Sequence, residues 1–565
     1  MVRSKDGQQS LYFDYREYDF EKPEELQGKS SQHSVVIVGA GPVGLTAALE
    51  LARHGIKSVL LDDKNTVNEG SRAICIARHS MECLHQLGLA KKFEDKSLPW
   101  THGSSFYRDR LVYRLEMPHS EADKYYPMYN LQQQYIEQLL LDEVIASDMI
   151  ELRWQSKVCD VEQNENAVSL RVETPAGDYS IRSDYVLAAD GARSIVRHQL
   201  GLKLEGDAYE GRYVIADIQM KSDFPTERRA FFDPSSNPGL TILIHKQPQN
   251  IWRIDYQIED DVDTDEELKE ENIRARIAAV LTMIGETTEW KLEWWSLYKA
   301  YTLALDNYRH NRILFIGDAA HLVPIFGVRG LNSGIADAMN AAWKLAYVIQ
   351  GQAQDALLDT YSPERRGATL DVFENASKST KFMTPPTRGH RLMRDAVLSL
   401  SISNEFSRPL INPRQSQPYT YIDSPLTSYR NRDAEFEHGP GTGAPILNSR
   451  INDTDCLLDY IGLGFSGLYF SDSELIDPVV LKIQDKLGVK EEGFTIIIIT
   501  KHSFSLENIV VVHDRRDELF SSYDAENGSF YLIRPDRHVS ARWKNINIDE
   551  VVHSFNQTMN GGKSE

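Results

Sequence analysis

Residues 35–64, VVIVGAGPVGLTAALELARHGIKSVLLDDK, begin with an apolar run, break at three glycines and a proline, resume with apolar positions at helical spacing, and end in a second apolar run. That pattern predicts a strand, a tight turn, a helix and a second strand. LQQQYIEQLLLDEVI (131–145) alternates with a helical period, whereas 154–191 splits into short β-runs punctuated by Asn, Gly and Pro, as in a meander. From 100 to 127 clear periodicity is lost. Between 212 and 300 further β-runs follow, among them TILIHK and IWRIDYQI, with a charged helix predicted at 264–284. A strand, loop and long helix are predicted at 312–350, and helix continues over 361–380. Prolines and glycines accumulate between 384 and 445, which reads as a long connector. Beyond it LLDYI, SGLYFS, FTIIIITK, NIVVVHD and SFYLIRPD read as buried strands of a separate α/β domain with a last helix near 548–558. Residues 1–33 lack these patterns and are expected to be an extension, either disordered or draped over the body.

Composition narrows the class. A chain of 565 residues with 41% hydrophobic and 26% charged side chains is globular, not fibrous or globally disordered. A net charge of −21 argues against general binding to nucleic acid or anionic membranes. Four cysteines without a CxxC pair make no disulfide framework, so reduced thiols and a cytoplasmic location are expected. The run Val35–Leu51 is too short and too broken to span a bilayer, the N-terminus has no apolar signal core, and GGKSE is not a receptor-read address.

Gly39, Gly41 and Gly44 form GxGxxG between the first strand and its helix. In that context the glycines serve the tight turn, close backbone approach to a pyrophosphate, and helix–strand contact. Asp62, 18 residues after Gly44, ends the second strand where a carboxylate can accept from ribose hydroxyls. A second GxGxxG, Gly462, Gly464 and Gly467, is followed by a short apolar run instead of a helix and is expected to be structural. In RILFIGDAAHLVPIFGVRGLNSGIADAMN (312–340), a strand ends in Gly317-Asp318 and a helix opens near Leu331, so an acid and a helix N-terminus face one loop. A plain βα connection with an exposed acid fits that segment equally. In DYVLAADGARSIVRHQLG, Asp190-Gly191 ends a strand ahead of Arg193 and Arg197. Alone it is an ordinary turn.

Together, in this order, the three segments resemble the FAD-dependent aromatic hydroxylases, the single-component flavoprotein monooxygenases. That family carries GxGxxG, a DG motif, and a GD motif followed by P-x-x-G-x-G-x-N, here Pro324, Gly327, Gly330 and Asn332. GPGTGAP and FYLIRPDRHVSARW resemble the phenol hydroxylase and 3-(3-hydroxyphenyl)propionate hydroxylase branch with its thioredoxin-like tail. The resemblance implies an α/β fold with a Rossmann-type FAD domain (34–205 and 300–400), an inserted β-rich substrate domain (206–299 with part of 100–127), a connector (401–440) and a thioredoxin-like domain (441–565). It implies that Gly39, Gly41, Gly44 and Asp62 hold the ADP half of FAD and that Arg72 and Gln133 contact the cofactor. Asp318 would serve the ribityl–pyrophosphate region, Gly330, Leu331 and Asn332 the flavin ring, and Asp190 and Arg193 FAD and NAD(P)H use. The loop departs from many relatives in Val328-Arg329; Arg329 either adds charge near the flavin or points to solvent.

The family chemistry would be reduction of FAD by NAD(P)H, addition of O2 at flavin C4a, and oxygen transfer from that hydroperoxide to a small aromatic substrate. The pocket is expected between flavin and the 205–300 region, with Pro324, His245, Trp252, Arg253, Tyr256, Phe232 and Phe326 as candidates. Arg253 suits a substrate carboxylate; an Arg–Asp pair on the sheet, with Asp255, is the plainer alternative. His245 and Tyr256 are candidate phenol deprotonators, against a role as satisfied core side chains, and His321 in GDAAH is expected to be structural. Cys456 stands alone in the tail, so packing or subunit contact, as in a homodimer, is expected of that domain in place of redox work. A same-fold FAD-linked reductase, a halogenase (WKLEWWSLY lacks the WxWxIP arrangement) or a non-catalytic FAD-binding scaffold are the alternatives.

Overall fold

The computed structural model describes residues 10–29, 31–324, 327–411, 417–473, 478–487, 493–506 and 509–563. Among them the strand Gln32–Val38 lies parallel between Gly177–Ala188 and Ser58–Leu61, at the centre of an eight-stranded sheet. Val35, Val36 and Ile37 are wholly buried in the main core, which is why the run is continuously apolar. The helix Pro42–Arg53 begins with proline in its first turn, where a missing N–H costs nothing. The meander is Lys157–Gln163, Val168–Thr174 and Gly177–Ala188, antiparallel throughout.

A second eight-stranded sheet runs in the order His321–Leu322, Trp290–Ala304, Glu205–Met220, Ile251–Ile258, Thr241–Gln247, Arg228–Phe232, His102–Tyr107, Arg110–Glu116. The aperiodic 100–127 stretch thus supplies two of its strands. One face buries Val214, Ile244, Ile254 and Tyr256 beneath the helix Glu270–Met283. The predicted 264–284 helix is interrupted after Glu267, and a second helix starts at Glu270. The other face turns to the first domain.

The C-terminal sheet places Phe465–Ser471 parallel to Phe494–Thr500 and antiparallel to Phe530–Ile533, which pairs with Val539–Trp543. Helix Pro478–Lys486 follows the first strand and helix Ile548–Met559 ends the unit, an α/β arrangement. The second GxGxxG falls in it: Gly467 lies inside a buried strand, where a Cβ would strike the Phe530 ring.

The tail is bolted to the first domain by buried charge. Arg534 Nη1 donates to Glu364 Oε1 at 2.5 Å and Nη2 to Asp536 Oδ2 at 2.6 Å, while Lys344 Nζ meets Glu364 Oε2 at 2.7 Å. Asn340 Nδ2 donates to both Glu364 and Asp536. Tyr421 carries the chain of contacts to Arg365, whose Nε donates to Asp337 Oδ1 at 2.6 Å. Asp337 also pairs with His321 Nε2 at 2.7 Å.

Two expectations about the connecting segments are corrected or resolved. The 384–445 stretch is not all loop: Thr387 caps a helix, Arg388–Ser401, whose Val397 and Leu398 pack on the substrate sheet's cluster. Residues 10–29 are draped over the body. Ser10 Oγ donates to Glu293 at 2.5 Å, Phe13 enters the main core, and Tyr18 stacks on Trp154 with centroids 5.4 Å apart. Among the described residues no helix is long and apolar enough to cross a membrane.

Candidate active site

The glycine turn is stripped of side chains for identifiable reasons. Gly39 has φ +107°, and a Cβ there would lie 2.5 Å from the Ala189 carbonyl oxygen; at Gly44 it would collide with the Gly39 carbonyl. A Cβ at Gly41 would meet nothing within 4 Å, so the turn is open on the side where a phosphate can approach the helix N-terminus. Asp62 Oδ2 accepts from Ala40 N–H at 2.7 Å, so it also braces the turn. Val43 is wedged against two further glycines: a Cβ at Gly334 or Gly317 would stand 2.5 or 3.1 Å from its Cγ2.

The other two motifs meet this turn. Gly317 N–H donates to Asp337, leaving Asp318 exposed at the strand end. Asp190 Oδ2 accepts from Val196 N–H, and Arg197 ties the DG element to the GD element by donating to Ala319 O at 2.9 Å. Arg193 is exposed. The helix Gly330–Ile349 starts at the expected glycine, and its first turn is locked by Asn332, whose Oδ1 accepts from Ala77 N–H at 2.8 Å and from Ser80. Val328 adopts φ +56°, costly for a β-branched residue, and Arg329 is buried, folded back over Gly327. The solvent-pointing alternative for Arg329 is therefore set aside. Gln133 Oε1 accepts from Ala73 N–H, fixing the segment that carries Arg72, itself exposed. Pro324 is buried beside this loop, and Phe326 lies outside the described residues.

On its face toward the Ser71–Arg72 segment, the second sheet presents a polar row. Arg228 stands opposite His245, His245 opposite Arg253, and Arg253 opposite Asp217, so all four share one face. Arg253 gives Nε and Nη2 to the two oxygens of Asp217 at 2.8 and 3.0 Å and also donates to the carbonyls of Ser71 and Arg72. Tyr12 of the N-terminal strap lies beside this pair, its hydroxyl pKa raised by burial and then by Asp217. Asp255, two residues along from Arg253, faces the same way, and burial pushes it up to about 7 against the pull of Arg253 and Arg228.

Several pocket candidates change role. Arg253 is paired with Asp217 instead of Asp255, and a guanidinium so engaged has no fork left for a substrate carboxylate. Tyr256 and Trp252 belong to the opposite face by the two-residue period, under the helix Glu270–Met283, so neither shares the polar row. His245 is on the inner face, but burial and then its two arginine neighbours hold its pKa well below the usual value, which makes it a poor resting place for a phenol proton. Phe232 does face inward, in a cluster with Tyr213 and Leu243. Arg228 and Asp217 are the residues sequence reasoning passed over, and Asp255 enters it only as a partner for Arg253. The short turn after Gln247 pairs it with Ile251 and so fixes His245 opposite Arg253, a register legible in principle.

With this geometry in place, comparison with known proteins is informative. Residues 32–376 match the family described as "FAD binding domain". A 3-(3-hydroxy-phenyl)propionate/3-hydroxycinnamic acid hydroxylase of Mycolicibacterium smegmatis is 27% identical over 516 residues, covering 90% of each chain. The enzyme of that name from Escherichia coli strain 55989 is 26% identical, covering 90% of this chain and 91% of its own. The crystal structure of the flavin-dependent monooxygenase PieE, solved with FAD and substrate, superposes with a TM-score of 0.75 at 23% identity, covering 94% of this chain and 99% of that one. Pseudomonas putida p-nitrophenol 4-monooxygenase PnpA covers 69% of this chain and 100% of its own at a TM-score of 0.58 and 24% identity.

Proposed function

The chain belongs to the FAD-binding domain family, and from that premise we propose that it is an NAD(P)H-dependent monooxygenase that hydroxylates a small phenol. FAD is its cofactor, and the observation that carries the reading is the bare turn at Gly39, Gly41 and Gly44 joined through Val43 to Gly317 and Gly334. Gly39, Gly41, Gly44 and Asp62 would hold the ADP half. Asp318, Asp190 and Arg193 would serve the middle of the cofactor, with Arg72 and Gln133 alongside, and the first-turn N–H groups of Gly330, Leu331 and Asn332 would serve the ring. Bound FAD supplies what side chains lack, acceptance of hydride and activation of O2.

The protein's own work is placement and exclusion of water. Arg253 holds the Ser71–Arg72 backbone against the substrate sheet. Phe232, Tyr213 and Leu243 give an apolar surface for an aromatic ring, and Met383 and Leu398 close the far end. The names of the relatives support a phenol bearing a short acidic chain as the substrate class. The test is NAD(P)H oxidation and O2 uptake by the purified flavoprotein against a panel of phenols, with product identified. Stoichiometric hydroxylation of a panel member is expected. NAD(P)H oxidation without O2 incorporation would instead indicate an FAD-linked reductase.

A further inference from the structure

The polar row holds more hydrogen-bonding capacity than it uses. Arg228 is buried, yet among the described residues it has no ion pair and no side-chain hydrogen bond, and its Nε lacks any partner. Asp255 Oδ1, His245 Nδ1 and both polar atoms of Gln247 are buried and unpartnered as well. Buried polar groups are satisfied in nearly all cases, so four open side chains on one face of one sheet mark a place where a polar ligand group is received. Arg253 and Asp217 cancel. What is left is one guanidinium, Arg228, and one carboxyl, Asp255, which are not in contact as an ion pair.

On the reading of the protein as a phenol hydroxylase, we propose that Asp255 accepts the phenolic proton of the substrate and that Arg228 then carries the charge of the phenolate. The phenol O–H bond breaks, its electron pair stays on the phenol oxygen, and the proton forms the O–H bond of the Asp255 carboxylic acid. The negative charge moves from Asp255 to the substrate, so the buried cluster keeps its net charge and needs no counter-ion. The groups facing Asp255 fit that exchange: Arg228 and Arg253 favour an anion in the cluster, Asp217 disfavours a second one, and His245 stays neutral. Cys75 and Tyr213, also near, are held protonated by burial, at a pKa raised to about 12 for the thiol and raised likewise for the hydroxyl. A carboxyl balanced near neutrality is suited to taking a proton and giving it back.

The experiment compares wild type, Asp255→Asn and Asp255→Glu, each with FAD bound. The probes are 3-(3-hydroxyphenyl)propionate and its ring-nitrated analogue, which has the same acid chain but an already acidic phenol. At pH 7, Asp255→Asn should lose about 10²–10⁴-fold in kcat on the first probe. The rate should recover as pH rises toward the phenol's own ionisation, near ~10. The nitrated analogue should lose little, and Asp255→Glu should restore part of the rate. Ultraviolet difference spectra should show bound phenolate in wild type at pH 8 and neutral phenol in Asp255→Asn. Wild-type kcat and pH profile in Asp255→Asn would overturn the proposal while leaving the hydroxylase reading standing. If that variant fails to hold flavin, the wild-type spectrum decides alone, and a phenol still protonated at pH 8 overturns it. Bound phenolates that are never oxygenated would sink the hydroxylase reading instead, and failure to bind either phenol would sink both.

Discussion

Two buried charge clusters in this molecule look alike by composition and differ in closure. Under the C-terminal domain, three carboxylates (Asp337, Glu364, Asp536) face three cations (Arg365, Lys344, Arg534), each with a partner at 2.5–2.7 Å. In the row on the substrate sheet, Arg253 pairs with Asp217, while Arg228 and Asp255 stay open. A closed cluster is a fastening, since every desolvated charge has its complement in the chain. An open one is incomplete until something else supplies the missing contacts. The distinction also follows position: the closed web joins two domains, and the open row lies on the sheet face where Arg253 meets the Ser71–Arg72 backbone.

The sharpest way to break the comparison is to remove a carboxylate from the closed web. Glu364→Ala strands Lys344, leaves Arg534 with Asp536 alone, and should cost about 3–5 kcal/mol in denaturant unfolding. A loss under ~1 kcal/mol would show that the web is not a fastening. Next is pH. The Asp255 carboxyl rises from 3.8 to about 7 on folding, so the folded state binds the extra proton, and this stability is full below ~4 and disappears as pH rises through 7. Asp255→Asn should flatten that slope, gaining on the order of a few kcal/mol over wild type at pH 8 and nothing at pH 3.5. Arg228→Met should leave unfolding stability unchanged or raise it by about 1 kcal/mol, since it removes an unpaired buried charge. It should weaken phenolate binding roughly 10²-fold by titration calorimetry. The same change at Arg534 should destabilise strongly. Smallest is Tyr256→Phe on the outer face, expected within about 0.5 kcal/mol and without effect on turnover; a change in kcat would mean that the two faces of the sheet communicate.

What the chain shows openly is what local rules govern. The glycine turn, its flanking strand and helix, the GD loop and the helix at Gly330 are each set by residues within a few positions of one another. The substrate row is different: Arg228, His245, Arg253 and Asp217 come from four strands, and their alignment depends on register across three strand pairs. Selecting Trp252, Arg253 and Tyr256 together ignored the alternation that puts 252 and 256 on one side and 253 on the other. Glu364 and Arg534, 170 positions apart, give no local sign of their pairing. The draping of residues 10–29 rests on Tyr and Phe side chains finding surfaces such as Trp154 and Tyr135, which no periodicity announces.

Val43 touches the two glycines that begin the second half of the flavin site, so the early and late portions of the chain are fitted to one another at the scale of single methyl groups. Chimaeras that graft the first sixty residues from a relative are therefore expected to assemble only where the donor's residue at this point is no bulkier than valine. In any bulkier case Gly317 and Gly334 have no smaller side chain to retreat to, and the two halves must be exchanged together.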